Sequence, residues 1–273
     1  MGPGRDPDAG RPYNGSVPGT PRGVTCLACG ARLVAFERYG LPPRPGLCPR
    51  CGSKPRHRTL LIFFRGWLRP RLGAGTEVLE IGPSRPATRF VPGRRTIGHA
   101  RYTAVDLDHR PHHARLRPPH RFRRMDATRL RFRDGTFDVI LCNNVLPFVP
   151  DDTAILAEIR RCLKPDGVAM VDVGVEVART TPAARLRRRD PARFTAAYVA
   201  INGSYRFYGR DYPGRLRQAG LAPLRFDPLR GLGRSFRRAH GLKADARGYL
   251  AFPSPAAARA FARAARARVS GPS

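Results

Sequence analysis

Four of the six cysteines stand in two matched pairs, Cys26-Leu-Ala-Cys29-Gly30 and Cys48-Pro-Arg-Cys51-Gly52, and the complete spacing is C-x2-C-x18-C-x2-C. Two residues between thiolates let one tight turn present both sulfurs to a single ion, and the glycine after each pair permits the backbone such a knuckle needs. Two knuckles close a tetrahedron. The pattern therefore predicts a structural zinc site made of Cys26, Cys29, Cys48 and Cys51, with no coordination position left open for catalysis. Cys142 and Cys162 lie in apolar stretches and read as core.

A second set of residues ends short apolar runs. Gly82 follows Glu77-Val-Leu-Glu-Ile81, Asp106 follows Tyr102-Thr-Ala-Val105, and Asp126 lies in Met125-Asp-Ala127. Glycines and acids at strand ends are what a nucleotide cofactor needs. A dinucleotide would require G-x-G-x-x-G, so that backbone can approach a pyrophosphate at a helix N-terminus. The frame that starts at Gly82 has Ser84 and Ala87 at the second and third glycine positions, which argues against nicotinamide or flavin chemistry. A cofactor without pyrophosphate asks less of this loop. Asp106, 24 residues past Gly82, is placed to accept hydrogen bonds from both ribose hydroxyls, and Asp126 to accept from an adenine amino group. His109, His112, His113 and His120 cluster in an Arg/Pro-rich insertion, which reads as an exposed loop with a metal site as the alternative.

The elements that must position these residues follow from the hydrophobic pattern. Residues 1–20 are rich in Gly, Pro, Arg and Asp, and read as a disordered arm; the ribbon covers 21–56. Between Arg56 and Leu72, Leu60, Leu61, Phe64 and Leu68 fall on one helical face. Buried strands are expected at Glu77–Ile81, Tyr102–Val105, Phe137–Leu141 and Val168–Val173, alternating with helices. The best marked of these runs from about Asp152 to Leu163 and exits through Lys164-Pro-Asp-Gly167. The fold class is α/β: an open, Rossmann-like doubly wound sheet that binds ligand at its carboxyl edge, preceded by a small four-cysteine ribbon. Residues 254–273 form a basic Ala/Arg-rich tail, expected as a solvated helix.

The chain has 273 residues and a formal charge of +31, and all but three of its 51 basic residues are arginine. So lopsided a preference matches GC-rich codon usage as well as a polyanion-binding role. Hydrophobic residues at 41% exclude a wholly disordered chain. The longest apolar run, Ala196 to Ile201, is far short of the roughly 20 residues of a membrane span. A cytoplasmic protein without a membrane partner is expected.

The run Val78-Leu-Glu-Ile-Gly-Pro-Ser84, then Ala104-Val-Asp106, the stretch from Met125-Asp-Ala-Thr to Pro150-Asp-Asp152, and Arg161-Cys-Leu-Lys-Pro-Asp-Gly167 together resemble the class I S-adenosylmethionine-dependent methyltransferases. The likeness is strong from Thr76 to Val173. It continues through Tyr208-Gly-Arg-Asp-Tyr212 to Gly220, as in bacterial methyltransferases with an N-terminal zinc ribbon and an R-H-R helix, and implies a domain over 57–253. By this resemblance Glu80 and Gly82 belong to the loop under the methionine part of S-adenosylmethionine. Asp106 takes the ribose, Leu107 packs on adenine, and Asp126 with Ala127 meets the adenine edge. Asn143 stands where backbone passes the sulfonium.

The chain also departs from its relatives. Asn144-Val-Leu-Pro-Phe148 replaces a histidine- and glutamate-bearing stretch, and Ser204 or Tyr205 stands where a histidine precedes Arg206-Phe-Tyr-Gly209. No general base can be carried over. Tyr208, Asp211 and Tyr212 are candidate helpers, with packing and turn formation the plainer reading. A small-molecule acceptor is favoured over RNA because the arginines are spread along the chain and the ribbon has only Phe36 and Tyr39 for stacking. The alternatives are an RNA methyltransferase and a catalytically silent zinc-ribbon nucleic-acid binder.

Overall fold

The computed structural model describes residues 23–40, 43–189, 203–242 and 248–269, which fall into two compact units. The arm expected over 1–20 lies outside the described residues.

The first unit runs to Arg69 and takes in a second segment beginning at Pro228. Strands β1 (Val24–Thr25) and β2 (Arg32–Leu33) pair antiparallel, as do β3 (Glu37–Tyr39) and β4 (Arg44–Leu47). Helix α1 (Pro55–Ile62) starts at a proline, which needs no N–H donor there, and its third residue caps it: the Lys54 N–H donates to His57 Nδ1 at 3.0 Å. The helix loosens into a π-helical turn, Phe63–Leu68. Leu60, Leu61, Phe64 and Leu68 are buried as the spacing predicts, and Phe63 with them. A short helix, Arg234–Ala239, belongs to the same unit, where His240 Nδ1 donates to the Thr25 carbonyl at 2.9 Å. The sequence boundary at residue 56 thus falls inside this unit, and Pro228 onward lies within the stretch assigned to the larger domain.

The second unit, Pro70–Asp227 with Arg247 onward, is built on a seven-stranded sheet. Its parallel strands are β5 (Glu77–Ile81), β6 (Arg101–Asp106), β7 (Arg121–Arg124), β8 (Phe137–Asn143) and β9 (Leu163–Asp172). Three short strands follow, β10 (Val175–Val177), β11 (Thr181–Pro182) and β12 (Arg206–Gly209), which form a separate sheet in the order β10-β12-β11. Strands β13 (Ala222–Phe226) and β14 (Gly248–Phe252) complete the main sheet, in the order β13-β14-β9-β8-β5-β6-β7, with β14 antiparallel to both its neighbours. From β5 the order steps one way to β6 and β7 and the other way to β8 and β9. The topological switch point lies between β5 and β8, where an open sheet splays to admit a ligand. This is the open, Rossmann-like doubly wound sheet that the sequence predicts.

Helices α2 (Arg85–Phe90), α3 (Arg94–Ile97), α4 (Asp152–Cys162), α5 (Ala183–Arg189), α6 (Tyr212–Gln218) and α7 (Pro255–Val269) accompany the strands. Asp151 caps α4 by accepting from the Ala154 N–H at 3.0 Å, and Arg160 and Arg161 stand in its last turn, as the helix dipole favours. Ile155, Leu156 and Ile159 face the sheet core with Leu79, Ile140 and Cys142, each such burial contributing about 1.5–3 kcal/mol. Cys142 and Cys162 are core, as expected.

Two sequence readings need correction. Lys164-Pro-Asp-Gly167 is not an exit turn, because β9 starts at Leu163 and carries it as a bulged stretch where the register with β8 shifts. The tail helix α7 is not simply solvated: Phe261 is 3% exposed, packed against Phe226 and Phe252 with the Arg71 guanidinium 4.8 Å from its ring.

Candidate functional site

The first unit gathers the four cysteines. Their sulfurs all lie within 4.8 Å of one another, with Cys26 to Cys51 and Cys29 to Cys48 each at 3.8 Å. A tetrahedron with zinc–sulfur bonds of about 2.3 Å has edges of about 3.8 Å, so the donor set fits the ion in kind, number and spacing. The two knuckles repeat one another. Gly30 (φ +74) donates to the Cys26 carbonyl and Gly52 (φ +70) to the Cys48 carbonyl, both at 2.8 Å. Cys26 N–H and Cys48 N–H reach the carbonyls of Ala31 and Ser53 at 2.9 Å. Burial raises the Cys26 thiol, yet hydrogen bonds from Ser53 and from the Cys29 and Ala28 amides outweigh it and bring it down to about 7. Burial and the neighbouring charge of Cys26 and Cys51 push Cys29 up to about 12. Four thiols so close cannot all ionise without a cation among them.

The carboxyl edge of the second unit gathers the other set. Gly82 leaves β5 with φ +61, its N–H held by the Val105 carbonyl at 2.8 Å. A Cβ at Gly82 would lie 2.6 Å from Cγ2 of Val145, so only glycine lets the loop after β5 and the loop after β8 approach this closely. Asp106 ends β6, partly exposed, and its carbonyl accepts from Met125 N–H at 3.0 Å, which brings the turn with Asp126 and Ala127 beside it. Leu107 is 56% exposed, an apolar surface at the mouth. Asp126 Oδ1 accepts from both the amide and the hydroxyl of Thr128 at 2.8 Å; this turn leaves Oδ2 without a partner among the described residues. Asn143 ends β8 with its side-chain oxygen buried and unpartnered among the described residues.

Glu80 is different. It is buried within β5 and takes the Tyr102 hydroxyl at 2.6 Å. Burial pushes its carboxyl up to about 7, although the Tyr102 bond works the other way.

Several residues entered this neighbourhood without a sequence signal. The histidine insertion folds back on the loop after β5, where His112 Nε2 donates to the Pro83 carbonyl at 3.2 Å. His113 is not an exposed loop residue: it is 1% exposed, stacks on Phe122 at 4.1 Å, and burial lowers its pKa. Among the described residues the four cysteines form the one cluster suited to a metal, so the histidines do not make a second.

Tyr208 and Tyr212 are buried. Tyr208 donates to Asp152 Oδ2 at 2.5 Å and Tyr212 to the Val171 carbonyl at 2.9 Å. Asp152 also takes a bidentate pair from Arg215, at 2.7 and 3.1 Å. Burial alone would raise this carboxyl; the bonds from Arg215 and Tyr208 hold it below the usual range. Arg206 donates to the carbonyls of Leu146, Val149 and Pro150, so the Arg-Phe-Tyr-Gly strand clamps the loop after β8. Asp211 Oδ1 accepts from the Thr180 amide and hydroxyl, at 2.7 and 2.9 Å. All three suggested helpers are thus engaged in structural hydrogen bonds, Tyr208 with the Asp152 carboxylate and Tyr212 and Asp211 with backbone.

Among the described residues no helix is long and apolar enough to cross a membrane. A search of curated proteins found no match. Among solved structures, the chain is similar to the 1,6-didemethyltoxoflavin-N1-methyltransferase of Burkholderia thailandensis, at 25% identity over 67% of this chain and 72% of that one, TM-score 0.44. It is also similar to the geranyl diphosphate C-methyltransferase of Streptomyces coelicolor A3(2), at 17% identity over 70% and 73% of the two chains, TM-score 0.47. Residues 79–171 match the family model described as a methyltransferase domain.

Proposed function

We propose that this chain transfers a methyl group from S-adenosylmethionine to an oxygen, nitrogen or carbon nucleophile of a small-molecule acceptor, and that the cysteine cluster holds a structural zinc. The observation that carries the first part is that Gly82, Asp106 and Asn143 stand at the carboxyl ends of three adjacent strands, β5, β6 and β8, which flank the switch point of the sheet. Gly82 lets the loop after β5 close on Val145 of the loop after β8, Asp106 offers a carboxylate for vicinal hydroxyls, and the orphaned Asn143 oxygen is an acceptor in want of a donor. S-adenosylmethionine, when bound, supplies a methyl group on a sulfonium, which is already an excellent leaving group. The protein's task is then orientation and exclusion of water more than proton transfer. That fits a site in which the side chains of Tyr208, Asp211 and Tyr212 are all engaged in structural hydrogen bonds.

The net charge of +31 favours one other reading, methyl transfer to RNA. Calorimetric titration with S-adenosylmethionine and NAD tests the cofactor: the first should bind and the second should not. Label transfer from radioactive S-adenosylmethionine to a panel of small nucleophiles and to RNA tests the acceptor. Incorporation into RNA, with RNA binding that weakens by about 0.7–0.9 log units per phosphate contact for each log unit of salt, would replace the small-molecule reading. Binding without turnover on any acceptor would leave a silent cofactor-binding domain.

A further inference from the structure

Among the described residues of the first unit, one cation is fully buried. Arg58 is 0% exposed, on the second turn side of α1, with its guanidinium 4.2 Å from the Phe36 ring centroid. The oxygens that accept its hydrogen bonds are all neutral, and the groups that favour its charge are the cysteine thiols, Cys26 first. Nη1 donates to the Ser53 carbonyl at 2.8 Å and to Ser53 Oγ at 3.1 Å. Nη2 donates to the Gly46 carbonyl at 2.7 Å and to the Gly241 carbonyl at 2.6 Å, with Nε at 3.3 Å from the last. Glu37, exposed on β3, is the sole carboxylate among the described residues of this unit. A buried cation whose hydrogen bonds all end on neutral oxygens is strongly disfavoured relative to water unless an anion stands near it.

The missing counter-charge is one hydroxyl away. Ser53 Oγ lies 3.2 Å from both Cys26 Sγ and Cys51 Sγ, so the serine can accept from Arg58 and donate its own proton to a thiolate. Four thiolates around one Zn2+ carry an excess of about two negative charges. That excess and the lone guanidinium are each costly in a dry interior and each relieved by the other.

We propose that Arg58 is the counter-cation of the metal centre and that, through the Gly241 carbonyl, it links metal loading to the seating of the segment that begins at Pro228. The proposal rests on the zinc reading above. The seating is close: Gly241 has φ +57, and a Cβ there would meet Phe36 at 2.3 Å and Arg58 Nη2 at 2.8 Å. Trp67 Nε1, donating to the Pro228 carbonyl at 3.0 Å, and His240, donating to Thr25, hold other points of the same segment. Arg58 is a positioning residue, touching the ligands through Ser53.

The test is zinc affinity of the full-length chain, read by competition with a chromogenic chelator, for wild type, Arg58→Lys and Arg58→Gln. Arg58→Gln should bind zinc about 10–100-fold more weakly with all four cysteines intact, the usual scale for an outer-shell partner, and Arg58→Lys should lose less. In a Cys29→His background, where the site carries one negative charge fewer, the Arg58→Gln loss should shrink. Limited trypsin digestion should show cleavage after Arg234, Arg237 or Arg238 accelerated by chelation in wild type and already fast with zinc in Gly241→Ala. Should Arg58→Gln fail to fold, Arg58→Lys decides alone, and a loss as severe as that of Cys48→Ser overturns the proposal. So does Arg58→Gln binding zinc as wild type does. A wild-type protein without zinc would instead sink the zinc reading itself.

Discussion

Tyr102 donates its hydroxyl to Glu80 across 2.6 Å, and both side chains are sealed between the neighbouring strands β5 and β6. Tyr102 itself is pushed well above its ordinary range, first by burial and then by the Glu80 carboxylate, so it stays a donor at every accessible pH.

The pair makes a pH prediction. Glu80 is raised from 4.5 to about 7 by burial. Between those values the folded chain holds a proton that the unfolded chain releases, so this group takes stability away as pH rises through the window, and its effect is complete above 7. Glu80→Gln cannot titrate. Relative to wild type it should therefore gain stability between pH 4.5 and 7, by up to about 3 kcal/mol. Urea unfolding of both proteins at pH 5 and pH 8 checks this; equal midpoint differences at the two pH values would contradict it.

Asp106→Ala should weaken S-adenosylmethionine binding by roughly 1.5–3 kcal/mol, the worth of a charge-assisted acceptor engaged with both ribose hydroxyls. Asp106 is half-buried at a strand end, so the change should leave the fold intact, as circular dichroism can verify. Unchanged calorimetric affinity in the folded variant would remove Asp106 from the site.

Cys48→Ser leaves three thiolates at a centre that needs four. Zinc content, expected at one per chain in wild type by elemental analysis, should fall, and the ribbon should become the first part of the chain cut by protease, because metal binding supplies most of the folding free energy of such modules. Full zinc occupancy in the variant would refute the four-cysteine assignment.

Tyr208→Phe should cost about 1–2 kcal/mol of stability, the usual cost of leaving a buried acceptor one donor short, with Arg215 still holding Asp152. Since the Tyr208 hydroxyl is engaged with Asp152, the pH dependence of methyl transfer should keep its shape. A displaced pH profile in a well-folded variant would return Tyr208 to the chemistry.

The local part of the architecture was legible in the chain itself. Cys26, Cys29, Cys48 and Cys51 announce their site because each knuckle spans only four residues and its geometry is fixed by spacing and glycine. Strands β5, β6 and β8 announce themselves as short, mostly apolar runs because both faces of a parallel sheet are covered. Strand β7 does not: Arg121-Phe-Arg-Arg124 is an edge strand with one neighbour and little to bury, so its composition reads as loop. The Lys164-Pro-Asp-Gly167 stretch carries turn chemistry, yet pairing across the bulge with β8 overrides it.

Other properties were decided by tertiary structure alone. Arg58 is one of many arginines in the sequence, and its burial depends on a carbonyl 183 residues away. His113 becomes core because Phe122 stacks on it, Phe261 because Phe226 and Phe252 cover it, and Glu80 titrates near neutrality because Tyr102 and the sheet shut out water. Spacing along a chain sets which residues can share one turn or one face. Burial, and with it the charge state of every ionisable side chain, is set by what the rest of the fold brings against them, and no local pattern encodes that.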